Sequence, residues 1–243
     1  MEKIYNVERA IIMAAGKGTR LRPITDSIPK PLVEVNGKRM IDTVIDALMD
    51  NGINEIYVIV GYLKDKFSIL KDKYPNINFI ENPYYETCNN ISSLYVARNY
   101  INNTIILDGD QIIYNKDILR KEFTKSGYNV IWCNGETDEW LLEVNDNIVT
   151  NCSRTGGRNG WQLFSISRWN EIDGKKLKRD LEIEFEDKMN KDIYWDDVAL
   201  FCHKDEYKLG IYEMNKDDVV EIDSLSELKE IDKSYGDKYN EEF

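Results

Sequence analysis

Histidine is almost absent from this chain of 243 residues, since His203 is its single imidazole. Ser-His-Asp and Cys-His catalysis would each hang on that one residue, and a multi-histidine metal centre is excluded. Cysteine is sparse too. Cys88, Cys133, Cys152 and Cys202 lie far apart and form no CxxC pair, which argues against a zinc knuckle or a redox motif and suits buried free thiols in a reducing compartment. Any metal is therefore left to carboxylates, the ligands of Mg2+ and similar hard cations. No apolar run reaches the roughly 18–20 residues that span a bilayer, and the start, Met1-Glu-Lys-Ile-Tyr-Asn-Val-Glu-Arg, lacks the apolar region of a signal peptide. A cytoplasmic location without a membrane partner is expected.

Surplus positive charge is lacking as well. Against 32 Lys and Arg stand 44 Asp and Glu, a net charge of −12 and a pI of about 4.7, so bulk attraction to nucleic acid or an anionic bilayer is not expected. The imbalance is local: residues 1–170 hold 20 basic and 21 acidic groups, while residues 171–243 hold 12 and 23. Hydrophobic residues make up 42% and charged residues 31%, the balance of a folded chain with one large or two small cores.

Strand and helix patterns alternate through the first half. Arg9–Ala14 is a short apolar strand entering a glycine turn, followed by a polar loop to Pro31 and a short Val-Glu-Val segment. Ile41, Val44, Ile45, Leu48 and Met49 follow the amphipathic helical period, and Asn51-Gly52 ends that helix. Residues 55–60, 77–80 and 104–107 read as strands, with helices over 63–74 and 89–100 between them. This β-α-β-α-β-α-β order predicts a largely parallel sheet covered on both faces. Beyond residue 127 the pattern changes to strands at 128–133, 141–144, 148–152 and 160–166, the middle two a hairpin, and then a charged helix from near Ser167. A final strand at 219–222 precedes Ser224-Leu-Ser-Glu227, a capping box that opens a C-terminal helix.

Four motifs carry chemistry. The first runs Ala14-Ala15-Gly16-Lys17-Gly18-Thr19-Arg20-Leu21-Arg22-Pro23 and continues at Pro29-Lys30-Pro31-Leu32. A strand entering such a turn presents backbone N–H groups at the carboxyl edge of the sheet, where they can cradle a triphosphate while Arg20 and Lys30 neutralise its charge. Residues 16–39 form a basic island, with Lys17, Arg20, Arg22, Lys30, Lys38 and Arg39 against Asp26 and Glu34, and the whole island is expected to face the phosphates. The spacing fits neither the dinucleotide GxGxxG nor a P-loop. The string does resemble the signature of the sugar-1-phosphate and choline-phosphate nucleotidyltransferases, an AAG-x-G-(T/S)-R-(L/M)-x-P loop followed by PKP(L/M).

That resemblance implies an α/β fold, Rossmann-like and three-layered, with a mixed, mostly parallel central sheet and a smaller α+β acceptor-binding lobe. It gives a single nucleotidyltransferase domain over 1–243: a nucleotide-binding half at about 9–127, an acceptor lobe at about 128–215, and a metal-binding strand with a C-terminal helix at about 216–243. Asp108-Gly109-Asp110 closes an apolar strand, and its two acids, two residues apart, point the same way. The family places a metal-binding aspartate here, with Asp110 the first choice and Asp108 the second. Glu221 and Asp223 share one face of a short strand and could complete a Mg2+ site, as the late acidic pair of related enzymes implies. Similarity also places the CTP base against Met13, Ala14, Ala15 and Gly16, with Gly18 and Thr19 in the phosphate loop. For the base it further suggests Thr87, Asn90 and Ser93, unless the Asn side chains cap the helix that follows.

The fourth motif is aromatic. All five tryptophans fall between Trp132 and Trp195; Trp132, Trp161 and Trp169 read as core. Trp140 and Tyr194-Trp195-Asp196 look like segments of the LicC-type cytidylyltransferases, where rings and a nearby acid suit a quaternary ammonium. The expected reaction transfers CMP from CTP to a phosphorylated amino-alcohol, phosphocholine first, with Lys30, Arg20 and Asp110 as catalytic groups and no nucleic acid partner. A 2-aminoethylphosphonate or sugar-1-phosphate acceptor, or a nucleotide-binding regulatory subunit without catalysis, are the alternatives.

Overall fold

A computed structural model describes residues 3–238 of the chain. The first apolar run forms β1 (Arg9–Ala14), which has parallel neighbours on both sides: β2 (Glu55–Val60), flanked in turn by β3 (Asn78–Glu81), and β4 (Thr104–Asp108). Alternate residues of β1 serve opposite faces. Ala10, Ile12 and Ala14 join Ile41, Val44, Ile45 and Leu48 of α1 (Met40–Asp50) in one core, whereas Ile11 and Met13 join Ile91 and Leu94 of α2 (Ile91–Val96) in the other. Gly52 stops α1 as predicted, at φ +75°, with its N–H donating to Met49 O at 2.9 Å. The segment 63–74 is only partly α-helical. Lys64–Ile69 is 3-10, with one α turn at Leu70–Lys73; its buried residues Phe67 and Leu70 are three apart, a spacing that a three-residue turn places on one face.

Past β4 the sheet becomes mostly antiparallel. The strand expected at 160–166 is longer, β9 (Gly157–Trp169), and its C-terminal part pairs antiparallel with β4, Ile166 opposite Leu107. Ladder pairing with a central strand buries Arg168 and Trp169 completely and delays the next helix, α3 (Glu171–Glu182), to the Asn170 cap. Along its length β9 also pairs with β6 (Gly127–Thr137), and near Trp161 with β7 (Leu141–Asn145). β7 forms the predicted hairpin with β8 (Ile148–Ser153). A single pairing links β8 to β10 (Gly210–Glu213), which runs parallel to β6 and closes a ring of five strands. Gly127 is essential to that closure, since a Cβ there would stand 2.0 Å from Gly210 O.

Trp169 sits in the core as expected, but Trp132 does not: it is 48% exposed, because β6 beyond Val130 has lost β10 and is paired on one side only. The late acidic strand, β11 (Val219–Glu221), pairs antiparallel with β5 (Gln111–Ile113), Glu221 opposite Gln111. That register brings the chain's last third beside Asp108 and Asp110. α4 (Leu225–Ile231) follows with both halves of its capping box formed by Ser224 and Glu227. No helix among the described residues is long and apolar enough to cross a membrane.

Candidate active site

At the carboxyl end of β1 the loop 15–32 passes through three 3-10 turns and walls a cleft of about 330 Å³. Its lining joins Met13, Ala14, Gly16, Gly18, Thr19, Arg20 and the buried Lys30 with Asp110, Glu221 and Asp223. Ala15 lies beneath the loop, its carbonyl accepting the Tyr62 N–H at 3.0 Å. Gly18 adopts φ +59°, and a Cβ on it would meet Lys30 Cβ at 2.8 Å. Gly16 faces open space, so a ligand could approach its backbone closely.

Oxygens of Asp108, Asp110 and Glu221 lie within 4.8 Å of one another, and Asp110 Oδ1 is buried without a hydrogen-bond partner among the described residues. This all-oxygen donor set fits a hard divalent cation. Burial, then mutual repulsion, pushes the carboxyls of Asp108 and Glu221 well above the usual range. Asp223 stands apart from the trio: its Oδ1 accepts from Lys30 Nζ at 2.8 Å and pairs with Arg20 Nη2 at 2.9 Å. Lys30 Nζ is also 2.6 Å from Asp110 Oδ2. Burial alone would lower the Lys30 pKa, but Asp110 and Asp223 outweigh it and hold the ammonium above the ordinary lysine range.

Asp196 stands close enough to the trio for its charge to raise Asp108 further, and the segment that carries it also bears the rings of a second group of side chains. Asp196 is buried, its Oδ1 lacks a hydrogen-bond partner among the described residues, and burial lifts its pKa to about 7. Trp140 meets Tyr194 edge-on at 5.6 Å and Phe201 edge-on at 5.7 Å between ring centroids. Arg154 lies over the Phe201 ring, 3.8 Å from its centroid, and its Nε bonds Asp197 Oδ1 at 2.7 Å.

The pattern of the nucleotidyl transferase family matches residues 9–129. A 2-aminoethylphosphonate cytidylyltransferase of Lancefieldella rimae is 36% identical over 93% of this chain and 92% of its own length. A choline-phosphate cytidylyltransferase of Streptococcus pneumoniae is 34% identical over 92% of this chain and 96% of its own. The solved structure of the Streptococcus pneumoniae CTP:phosphocholine cytidylyltransferase LicC superposes with a TM-score of 0.84 at 32% identity, covering 93% of this chain and 98% of that one. The chain belongs to the LicC-type nucleotidyltransferases.

In this nucleotidyltransferase several expected residues have other duties. Trp195 is 1% exposed and stacks on Tyr128 inside the core, so Trp140 and Tyr194, not Trp195, form the open aromatic corner. Neither Thr87, Asn90 nor Ser93 lines the cleft. The Asn90 side chain does not cap α2 either: its Oδ1 accepts the Trp195 N–H at 2.9 Å and anchors the 194–197 turn. Ser93 Oγ accepts from Asn82 Nδ2 at 3.0 Å, and Thr87 is exposed. Of the basic island only Arg20 and Lys30 reach the cleft; Lys17 pairs with Glu86, Arg22 with Asp26, Lys38 with Asp46 and Arg39 with Asp42. Arg154, Asp197 and Phe201 escaped the sequence reading. Asp197 adjoins a motif already in view, but no local pattern connects Arg154, in the turn after β8, to residues 194–201.

Proposed function

We propose that this nucleotidyltransferase transfers CMP from CTP to phosphocholine, giving CDP-choline and pyrophosphate. The observation that carries the reading is the buried Asp196 carboxylate, close enough to the acidic trio to raise Asp108 and borne on the same 194–201 segment as the Tyr194 and Phe201 rings that meet Trp140. Ring faces and a buried acid suit a quaternary ammonium, whereas a sugar phosphate calls for polar groups at hydroxyl positions. A regulatory subunit without catalysis would not need the carboxylates of two separate segments, 108–110 and 221, to converge. The L. rimae relative supports 2-aminoethylphosphonate as the second reading, since a primary ammonium can be held by Asp196 with fewer rings.

In this reading the loop 14–20 cradles the triphosphate of CTP, with Met13 to Gly16 beneath the base, and the nucleotide half spans about 9–127. The acceptor lobe, about 128–215, presents its substrate's phosphate to the α-phosphorus. An acceptor oxygen forms a new bond to that phosphorus while the α–β bridging P–O bond breaks and its electron pair leaves with pyrophosphate. The nucleophile is already an anion near neutral pH, so no protein base is required. His203 is accordingly employed elsewhere, 2.8 Å from Glu184. Lys30 and Arg20 stabilise the departing charge, and Asp223 orients both. Asp108, Asp110 and Glu221 would hold Mg2+, which supplies charge compensation between the two phosphate groups. The four free cysteines fit the cytoplasm as compartment.

The test is pyrophosphate release with Mg2+, crossing CTP, UTP, ATP and GTP with phosphocholine, phosphoethanolamine, 2-aminoethylphosphonate and glucose-1-phosphate. Turnover of CTP with phosphocholine above the other acceptors is expected. Turnover confined to glucose-1-phosphate would overturn the reading.

A further inference from the structure

The aromatic corner is already engaged by a cation of the protein's own. The Arg154 guanidinium lies 3.8 Å from the centroid of Phe201 and 5.9 Å from that of Trp140, both within the reach of a cation–π contact. Asp197 Oδ1 holds it by Nε at 2.7 Å and Nη2 at 2.5 Å, while Asp197 Oδ2 accepts the Tyr194 N–H at 2.8 Å. One buried carboxylate thus fixes both the resident cation and the third ring of the corner. Arg154 itself is half-exposed and sits in the short turn between β8 and β9, so its side chain has room to leave.

Resting on the reading that the acceptor is a phosphorylated amine, we propose that Arg154 is a specificity-determining residue: its guanidinium holds the Trp140 and Phe201 faces before substrate arrives, and a quaternary ammonium gains them only by displacing it. The chemistry of the two acceptor classes makes the effect selective. A trimethylammonium group has no N–H donor and depends on ring faces for recognition. A primary ammonium carries three donors and pairs with the Asp196 carboxylate without needing those faces. Arg154 therefore handicaps phosphocholine more than phosphoethanolamine or 2-aminoethylphosphonate.

Arg154→Ala and Arg154→Lys, each compared with the wild-type chain, test this. In Arg154→Ala the ratio of kcat/KM for phosphocholine to that for phosphoethanolamine should rise about tenfold, through a lower phosphocholine KM, with the KM for CTP unchanged. Tetramethylammonium, followed by tryptophan fluorescence with Trp140→Phe as the silent control, should bind about tenfold tighter. Should Arg154→Ala leave Asp197 too exposed to fold, shown by its thermal melt, Arg154→Lys retains the charge beside Asp197 but loses the planar face. A rise of about threefold is then expected. An unchanged or falling ratio, equal losses for both acceptors, or no tetramethylammonium response in any form would overturn the proposal. If wild type turns over neither acceptor while tetramethylammonium binds tighter to Arg154→Ala, the inference on Arg154 stands and the acceptor reading falls.

Discussion

The Lys30 ammonium lies 2.6 Å from the Asp110 carboxylate, inside the wall that would bind a divalent cation. With 2.8 Å to Asp223 it bridges two acids of the cleft lining that would otherwise repel each other. A lysine buried so deeply stays charged because both carboxylates outweigh its desolvation. Lys30→Met should therefore act twice. Turnover should fall by about a hundredfold or more, the scale of losing one preorganised charge near the leaving group. The melting temperature should also drop in Mg2+-free buffer and recover in part when Mg2+ is added. Parallel kinetics and thermal melts check both outcomes.

Asp110 is the carboxylate shared between that lysine and the acidic trio. Its Oδ1 is buried without a hydrogen-bond partner among the described residues, a cost that a bound cation would relieve. Mg2+ should consequently raise the melting temperature of the wild-type chain, and in Asp110→Asn that rise should shrink to the background of general salt. Activity of the variant should fall at least about a hundredfold. A variant that keeps both the shift and the rate would remove Asp110 from the metal set.

Gly18 tests the loop without altering a charge. At φ +59°, with Lys30 Cβ 2.8 Å from where its own Cβ would stand, alanine meets both backbone strain and a clash. In Gly18→Ala the 18–20 turn must shift relative to Lys30. The expected outcome is a rise of about tenfold in the KM for CTP and a stability loss on the order of 1–2 kcal/mol. Acceptor KM should change little, because the acceptor group stands on other elements.

What could be read from sequence tracks the range of the interactions. β1, α1 and the capping box of α4 were legible because propensity, period and burial agree within a few residues. The loop from Ala14 to Lys30 was legible because its glycines, basic residues and prolines form one contiguous string in the chain. Convergence of Glu221 with Asp108 and Asp110 depends instead on the register of β11 against β5, and only family resemblance suggested it. Closure of the five-stranded ring through Gly127 and Gly210 left no periodic trace. Trp195 was assigned to the acceptor by its neighbours Tyr194 and Asp196, yet a helical turn sends consecutive side chains different ways, and this one enters the core. Charge counted along the sequence likewise carries no direction in space, and Lys38 and Arg39 line a different groove from the cleft.

Asp196 gives the acceptor site a pH signature whose sign can be worked out. Burial lifts its folded pKa from 3.8 to about 7. Between about pH 4 and about pH 7 the folded chain therefore keeps a proton that the unfolded chain releases, so this group's contribution makes stability fall as pH rises through that window. The penalty is complete above the folded pKa and absent below the unfolded one. Asp196→Asn removes it, and the variant should gain on the wild type by a few kcal/mol, on the order of 2–4, between about pH 4 and about pH 8, measured as a difference in urea unfolding. Taking the difference cancels Glu221, whose carboxyl Asp196 does not perturb, while Asp108, which the Asp196 charge raises, is relieved in the variant and adds to the gain with the same sign. Binding runs the other way. A cationic acceptor favours the ionised carboxylate, so acceptor KM should fall as pH climbs through about 7 in the wild type and lose that dependence in Asp196→Asn. If the variant instead follows the wild-type profile, Asp196 does not face the ammonium.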